Sequence, residues 1–241
     1  MSTGRKTCDI SIIIPTCDEE DTIAAAVNAV AGLAGVEVVV ADGGSTDRTV
    51  PLARAAGARV TASERGRGSQ QNAGAAAARG RVLLFLHADT RLPDCFQQSV
   101  LAILRLPGVV AGAFPLGIAA RGRGFRLIEW GVNLRASLWQ LPYGDQAIFL
   151  GAGQFRSMAG FREIPLLEDV DLVLRLRRLG RIELAPVPVL TSARRWQRLG
   201  LLRTTLINFL ILLCFFAGVS PRRLALWYGK NRQGNGRPFW E

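Results

Sequence analysis

Carboxylate side chains follow apolar, strand-like segments at two places in the first half of the chain. Asp42 comes directly after residues 36–41, which are apolar except for Glu37, and Asp89 follows the apolar residues 82–86. A carboxylate at a strand end can accept hydrogen bonds from ribose hydroxyls, and hard divalent cations bind oxygen ligands. The sequence therefore predicts that Asp42 contacts a nucleoside and that Asp89 binds a metal ion, which in turn holds a diphosphate.

Two neighbours of these acids allow alternative interpretations. His87 is the only histidine and lies two residues before Asp89, so in a strand both side chains share a face. It is either a second metal ligand or a structural hydrogen-bonding residue. Asp47, in the turn after Asp42, either contacts the nucleotide or caps the next helix.

An arginine- and glycine-rich loop, residues 65–72, precedes a helix-like segment. Glycines let the backbone approach an anion, helix N-termini attract phosphate, and arginines such as Arg67 add paired donors. The loop is neither a Walker loop nor a GxGxxG fingerprint, since Gln71 stands where the third glycine would be. It indicates a phosphate contact only in combination with the strand-end carboxylates.

The adjacent acids Glu168 and Asp169 open a helix-like segment in the second half. Acids at a helix start often only complement the helix dipole. Beside a nucleotide site, however, such a carboxylate becomes a candidate general base. Sugar transfer to a hydroxyl with inversion needs one carboxylate to take the acceptor proton, while a metal ion stabilises the departing diphosphate.

Strand-like and helix-like segments alternate along the first half, which predicts an α/β fold with a mostly parallel sheet. The predicted strands are residues 10–14, 36–41, 59–62 and 82–86, and the predicted helices are 19–33, with Asp18 as its cap, 47–56 and 69–79. In the second half we predict strands at 109–118 and 145–150, helices at 124–138 and 167–179, and an extended segment at 182–190. The polar clusters fall at the carboxyl ends of the strands, where ligands bind in open α/β sheets.

The amino-acid composition limits the classes of ligand that this protein is expected to bind. The net charge is +11, and nearly all the cations are arginines. Few aromatic residues accompany them and no nucleic-acid motif is present, so phosphate-bearing substrates or lipid headgroups are favoured over nucleic acid. The four cysteines are scattered without metal spacing, and residues 1–9 do not form a secretory signal, which predicts a cytoplasmic protein with reduced thiols.

Four blocks, in order and with matching spacing, resemble family 2 glycosyltransferases of the GT-A fold. They are IIIPTCDEE at 12–20, ADGGSTD at 41–47, LHADT at 86–90 and the Glu168-Asp169 pair. The resemblance covers about residues 9–190, and the segments 80–93 and 143–146 are similar to a bacterial subgroup of unknown acceptor. It implies a Rossmann-like central sheet flanked by helices, a UDP- or GDP-linked sugar donor, and Mg²⁺ or Mn²⁺.

The resemblance also implies roles for single residues. Pro15, Thr16, Glu19 and Asp42 match positions that hold the nucleoside, Asp89 matches the last aspartate of the Asp-x-Asp metal motif, and Asp169 matches the catalytic base. Two positions depart from the family pattern, because His87 replaces the first aspartate of that motif and Asp18 replaces an asparagine. Asp145 and Gln146 are candidates for contacting the sugar or acceptor. Arg195 and Trp196 resemble a downstream Arg-Trp segment of processive members, although a basic, membrane-facing turn is an equal alternative.

The last part of the chain changes composition. Residues 206–219 are almost all apolar and arginines flank them, but the run is shorter than the roughly 20 residues that span a bilayer. We predict a catalytic domain at 1–190 and a basic, apolar segment at 191–241, which lies on the membrane surface or re-enters it. The alternatives are a full span in which Arg203 snorkels to the interface and a buried core helix or dimer contact. A membrane location would suit a lipid-linked acceptor.

Two other functions remain as alternatives. A nucleotidyltransferase would carry a glycine-rich, lysine-containing loop after the first strand, where residues 15–20 read PTCDEE. A non-catalytic nucleotide-sugar-binding protein at the membrane would have no need of both Asp89 and Asp169.

Overall fold

The computed structural model describes residues 8–230 of the 241-residue chain. Its strands are β1 Ile10–Thr16, β2 Val36–Asp42, β3 Arg59–Ala62, β4 Val82–Phe85, β5 Thr90–Arg91, β6 Val109–Ala113, β7 Leu116–Ile118, β8 Phe149–Gly151, β9 Arg181–Leu184 and β10 Val189–Thr191. Its α-helices are α1 Ile23–Asn28, α2 Thr49–Ala55, α3 Arg67–Ala77, α4 Phe96–Ile103, α5 Arg123–Trp139, α6 Ala152–Ser157, α7 Glu168–Leu176, α8 Arg194–Leu199, α9 Leu201–Phe216 and α10 Pro221–Lys230. A 3₁₀ helix covers Gly144–Gln146.

Seven strands form the central sheet, in the order β3-β2-β1-β4-β8-β6-β9. Every pairing in it is parallel except the two made by β8, which runs antiparallel to β4 and β6. A second sheet, in the order β5-β10-β7, lies beside it. The predicted α/β fold with a mostly parallel central sheet is therefore confirmed.

The buried run at the start of the chain explains why β1 lies at the centre. Ile12 and Ile14 pack into the core on one face of the sheet, and Ile13 packs into the core on the other. A strand with apolar side chains on both faces needs helices on both sides, as in parallel α/β sheets. On one of these faces, Gly74 of α3 lets the helix approach β1 closely, since a Cβ there would lie 2.4 Å from Ile13 Cγ2.

The first predicted helix, 19–33, is wrong at both ends. Helix α1 covers only Ile23–Asn28, its N-cap is Thr22, and Asp18 is not its cap. Residues 19–22 instead form a turn in which Thr22 N donates to Glu19 O. Beyond the helix, Gly32 and Gly35 adopt positive φ angles of 81° and 74°, a backbone that favours glycine and does not continue a helix.

Two predicted strands also differ from the structure. The segment 109–118 divides into β6 in the large sheet and β7 in the small one, with Pro115 between them, because proline offers no N–H to a ladder. The segment 145–150 is a 3₁₀ helix followed by β8, which begins only at Phe149.

In the described part of the C-terminal segment, helices α8, α9 and α10 pack against the rest of the molecule. β10 runs across the predicted domain boundary at 190/191 and pairs with β5 and β7. The apolar run 206–219 lies mostly in α9. Leu212 and Phe215 of this helix pack against the core on the face of the sheet that contains Ile13. Within the described residues, none of the helices has the combined length and hydropathy needed to cross a bilayer.

Candidate functional site

The carboxyl ends of β1 and β2 lie side by side, and Thr16 is directly opposite Asp42. The Asp42 carboxylate accepts hydrogen bonds from its own turn: Oδ2 from Gly44 N and Ser45 N, both at 3.1 Å, and Oδ1 from Ser45 Oγ at 2.5 Å. Thr16 and Asp42 are both buried. Since a carboxylate has about four lone-pair sites, Asp42 can shape this turn and still accept a hydrogen bond from a ligand.

Two acids join the loops that follow β1 and β2. Asp18 adopts a left-handed backbone with φ of 52°, and its Oδ1 accepts a hydrogen bond from Thr46 N at 2.8 Å. Asp47 lies in the other loop, and its carboxylate accepts hydrogen bonds from Glu20 N at 3.1 Å and from Thr49 N at 2.9 Å. Burial opposes the ionised form of Asp47, but the hydrogen bonds from Thr49 and Glu20 outweigh it and lower its pKa. Asp47 thus has a structural role at the start of α2, and a nucleotide contact by it is a prediction that nothing in this geometry requires.

Gln70 fixes α3 against the same edge of the sheet. Its side-chain amide is buried and donates to Thr16 O at 2.5 Å and to Ala41 O at 3.3 Å. This residue was not singled out from the sequence, because only the fold shows that α3 passes below the ends of β1 and β2.

Glu19 and Asp89 lie close enough for their charges to interact. Burial raises the pKa of Glu19, and the Asp89 carboxylate raises it further. Arg194, at the start of α8, places Nη2 3.7 Å from Glu19 Oε2, and Thr22 Oγ1 donates to the same oxygen at 2.8 Å. The sequence pointed to Arg195, the neighbour of Arg194, as the candidate. The side chain of Arg195 lies outside the described residues.

Asp89 and His87 follow β4 at its carboxyl end, and both are half-buried. β4 ends at Phe85, so the two residues lie in a turn and not on one face of a strand. In the described part of the chain, the carboxylate of Asp89 receives one long contact, 3.5 Å from Thr90 Oγ1. A weakly bonded carboxylate facing the like charge of Glu19 is a suitable position for a cation.

A divalent cation here would need ligands from the substrate. Residues 8–230 contain no group of three or more His, Cys, Asp or Glu side chains arranged to hold a metal ion. Asp89 therefore fits a cation whose other ligands are phosphate oxygens and water, the usual arrangement for Mg²⁺ bound together with a nucleotide.

Arg67 connects the two acidic parts of the site. It is the first residue of α3, after Gly66, whose φ is 134°. Burial raises the pKa of both Glu19 and Glu168, and the guanidinium of Arg67 offsets part of each rise. A half-buried arginine between two carboxylates is placed to contact a diphosphate between them.

Helix α7 brings Glu168 and Asp169 to the other side of the site. Glu168 is only 6% exposed, and burial together with the charge of Asp169 raises its pKa to about 7. Asp169 is half-buried, and its two oxygens accept hydrogen bonds from Gly144 N at 2.6 Å and Val170 N at 2.7 Å. Asp169 therefore has a fixed orientation at the site, whereas the side chain of Glu168 is buried.

The turn at residues 143–146 closes the site between α7 and β4. A Cβ atom at Gly144 would lie 3.2 Å from both Asp169 Oδ2 and His87 Nε2. Gly144 therefore separates the predicted base from the predicted metal region, and no sequence pattern indicated this contact. Asp145 is half-buried in the same turn.

Gln146, predicted to contact sugar or acceptor, has its side chain buried under the turn. Gln146 is 0% exposed, its Nε2 donates to Phe114 O at 3.1 Å, and its Oε1 accepts from Tyr143 N at 3.2 Å. It holds the turn in place. Beside it, Arg135 lies 3.4 Å above the Tyr143 ring, and burial raises the pKa of Tyr143 to about 12.

Most of the predicted site residues converge, and a few do not. Contacts and charge interactions connect those on both sides of the sheet edge: Glu19, Arg67, His87, Asp89, Glu168 and Asp169. Pro15, Thr16 and Asp42 line the adjacent ends of β1 and β2. Trp196 instead packs on the cluster around Leu116 and Ile118 of the small sheet, so it supports this sheet.

Comparison with known proteins bears on the family and the fold of this chain. A model of glycosyl transferase family 2 matches residues 11–164. A curated glucosyl-3-phosphoglycerate synthase of Mycolicibacterium paratuberculosis is 38% identical over 92 residues, which are 33% of this chain and 28% of that protein. The aligned region is thus a little over a quarter of that relative's length.

Solved structures share the fold. A mycobacterial protein is 26% identical with a TM-score of 0.55, over 76% of this chain and 65% of that one. Glucosyl-3-phosphoglycerate synthase from Mycobacterium tuberculosis, in complex with Mn²⁺, UDP and phosphoglyceric acid, is 23% identical with a TM-score of 0.60, over 86% and 78%. S. aureus TarS, in complex with UDP-GlcNAc, is 18% identical with a TM-score of 0.60, over 76% and 58%. With four motif blocks at one sheet edge and a family model matching residues 11–164, this chain belongs to glycosyl transferase family 2.

Proposed function

We propose that this chain transfers a sugar from a UDP-linked donor to a hydroxyl acceptor with inversion at the anomeric carbon, using Mg²⁺ or Mn²⁺. The observation that carries the proposal is that three carboxylates converge at one edge of the sheet. Asp42 lies where the ends of β1 and β2 are adjacent, Asp89 has only a weak hydrogen bond among the described residues, and Asp169 is held in one orientation. UDP is preferred over GDP as the donor nucleotide because the solved relatives with the same fold were crystallised with UDP or UDP-sugars.

Each part of the donor has a place in this arrangement. The nucleoside would lie along Pro15, Thr16, Glu19 and Asp42, where two strand ends are adjacent. The diphosphate would lie between Asp89 and Arg67. When bound, the divalent cation at Asp89 would neutralise charge that develops on the departing diphosphate.

The chemical step then depends on Asp169. Its carboxylate takes the proton of the acceptor hydroxyl while the acceptor oxygen forms its bond to the anomeric carbon, and the bond from that carbon to the diphosphate oxygen breaks. Gly144 N and Val170 N hold the carboxylate in one orientation, so little reorganisation is needed. We propose Glu168 as a positioning residue under Asp169, since it is buried.

The acceptor would approach from the side of Asp145 and the 3₁₀ turn, opposite the nucleoside edge. We propose a lipid-linked hydroxyl compound as acceptor and the segment 191–241 as the part that brings the enzyme to it. The support is the path of the chain, since Arg194 contacts Glu19 in the site and α8 leads directly into the apolar helix α9.

The test compares binding with turnover. Thermal unfolding with a panel of nucleoside diphosphates should show stabilisation by UDP with Mn²⁺, and this should disappear with EDTA or in Asp89→Ala. Release of UDP from UDP-hexoses should fall about 10²–10⁴-fold in Asp169→Asn, while UDP binding is retained. Binding without any turnover for a full panel of acceptors would favour a non-catalytic nucleotide-sugar-binding protein, and no UDP binding would refute the proposal.

A further inference from the structure

Helix α9 exposes an apolar face to solvent. Five of its side chains recur every three or four residues along this outer stripe, namely Leu202, Leu206, Phe209, Leu213 and Phe216. Leu202 is 84% exposed, and the other four are about half exposed. The opposite face, with Thr204 and Ile211, is buried. A surface helix normally turns its polar side chains to solvent, so an outer stripe of five apolar side chains on α9 is an unusual surface for a protein in water.

Helix α5 carries a second outer stripe. Leu127, Trp130, Leu134 and Leu138 share one face of this helix, and their exposed fractions run from 39% to 67%. The opposite face packs on the small sheet through Phe125, Ile128 and Val132. The two helices touch at their N-terminal ends, where a Cβ at Gly124 would lie 2.6 Å from Leu201 Cδ2. The apolar faces therefore belong to two neighbouring helices.

The charges around these stripes are almost all positive. From residue 184 to 230 the sequence contains no aspartate or glutamate, and its arginines there are Arg194, Arg195, Arg198, Arg203, Arg222 and Arg223. Arg121 and Arg123 lie at the start of α5. The one acid of α5, Glu129, is paired with Arg126 at 2.9 Å.

We propose that the outer stripes of α5 and α9 together bind the surface of an anionic membrane. Apolar side chains would enter the boundary between headgroups and acyl chains, while the flanking arginines contact lipid phosphates. Trp130 suits this depth, because an indole ring has an apolar body and one polar N–H. A second copy of the chain is a poorer occupant, since a symmetric contact would bring the same arginines of both copies together.

This surface lies near the candidate site. Arg194, whose side chain contacts Glu19, begins α8, and this six-residue helix of about 9 Å leads through Gly200 into α9. A membrane bound to α9 would therefore hold a lipid-linked acceptor close to Asp89 and Asp169; this last step rests on the proposed function, whereas the binding to membranes does not.

The experiment measures co-sedimentation of the full chain with vesicles of phosphatidylcholine alone or mixed with phosphatidylglycerol, without any substrate. We expect binding to the mixed vesicles and much weaker binding to phosphatidylcholine. Leu206→Glu in α9 and Leu134→Glu in α5 should each weaken it by roughly tenfold or more. Leu179→Glu is the matched control, because Leu179 is also exposed but lies beyond the end of α7, and it should bind like the wild type.

The arginines are tested in the same assay. Arg203→Gln combined with Arg222→Gln should reduce binding to the mixed vesicles and leave the weak binding to phosphatidylcholine unchanged, whereas the exposed Arg105→Gln should change neither. Thermal unfolding confirms that each variant is folded.

Two results would overturn the proposal. One is equal binding by Leu206→Glu, Leu134→Glu and the wild type. The other is no binding of the wild type to mixed vesicles; a dimeric mass by light scattering that Leu206→Glu converts to a monomer would then assign the stripes to a second copy of the chain. Loss of glycosyl transfer with intact vesicle binding would count only against the proposed function.

Discussion

Gly144 controls the distance between the predicted base and the predicted metal region, so Gly144→Ala is the sharpest test of the site. A Cβ atom at residue 144 would lie 3.2 Å from Asp169 Oδ2 and 3.2 Å from His87 Nε2. Ordinary contacts of a carbon atom begin at about 3.5 Å, so each neighbour must move by a few tenths of an ångström. The backbone of Gly144 does not adopt a positive φ, and alanine can take its place without backbone strain.

The expected effect follows from this displacement. Gly144 N donates to Asp169 Oδ2 at 2.6 Å, so movement of the carboxylate disturbs the group that would take the acceptor proton. Misplacement of a catalytic group by 1 Å costs about 100-fold, and a few tenths of that distance should lower kcat roughly three- to tenfold. The KM for the nucleotide sugar should change little, because Thr16 and Asp42 lie at the other end of the site.

The assay is steady-state release of UDP from the donor, with the free energy of unfolding measured in parallel. Gly153→Ala is the matched control: Gly153 is exposed in α6, and a Cβ there meets no atom within 4 Å. The control should keep its kcat. Wild-type kcat in Gly144→Ala, or an equal loss in both variants, would refute the assignment of Asp169 and its geometry.

Three further predictions follow from the described contacts. Burial raises the pKa of Glu168 from 4.5 to about 7, so between these pH values the folded protein retains a proton that the unfolded chain loses. Relative to Glu168→Gln, the wild type should therefore lose up to roughly 3 kcal/mol of unfolding free energy as the pH rises from 4.5 to 7. Parallel curves of unfolding free energy against pH for the two proteins would contradict this. Arg194→Gln removes an exposed ion pair with Glu19, which contributes little to folding, so thermal stability should stay within about 1 kcal/mol while the donor KM rises severalfold; an unchanged KM would place Arg194 outside the donor site. Gln70→Ala should lower the unfolding free energy by about 1–3 kcal/mol, since it removes a buried amide that bonds two strand-end carbonyls. Gln97→Ala removes a solvent-exposed hydrogen bond and should cost much less in the same denaturation experiment.

The sequence by itself was sufficient to predict which strands end at the site and which acidic residues follow them. The segments 10–14, 36–41 and 82–86 are short, mostly apolar and bounded by polar turns, which is the pattern of buried strands. Parallel strands place their carboxyl ends at one edge of the sheet. Asp42 and Asp89 could therefore be located before any coordinates, as could the start of α7 with Glu168 and Asp169. These features depend on patterns within a few residues.

Tertiary structure alone decided which distant residues meet there. Gly144 lies between His87 and Asp169, and Arg194 reaches Glu19, although each pair is far apart in sequence. Gln146 was expected to contact a ligand in the site. The chain leaves the large sheet after β6, and the side-chain amide of Gln146 donates to the carbonyl of Phe114 there, so Gln146 is buried. Likewise, the apolar run at 206–219 predicted an apolar segment, while only packing determined that α9 turns one apolar face outwards. Such contacts depend on how elements pack, and no local pattern specifies which side chain a folded neighbour will cover.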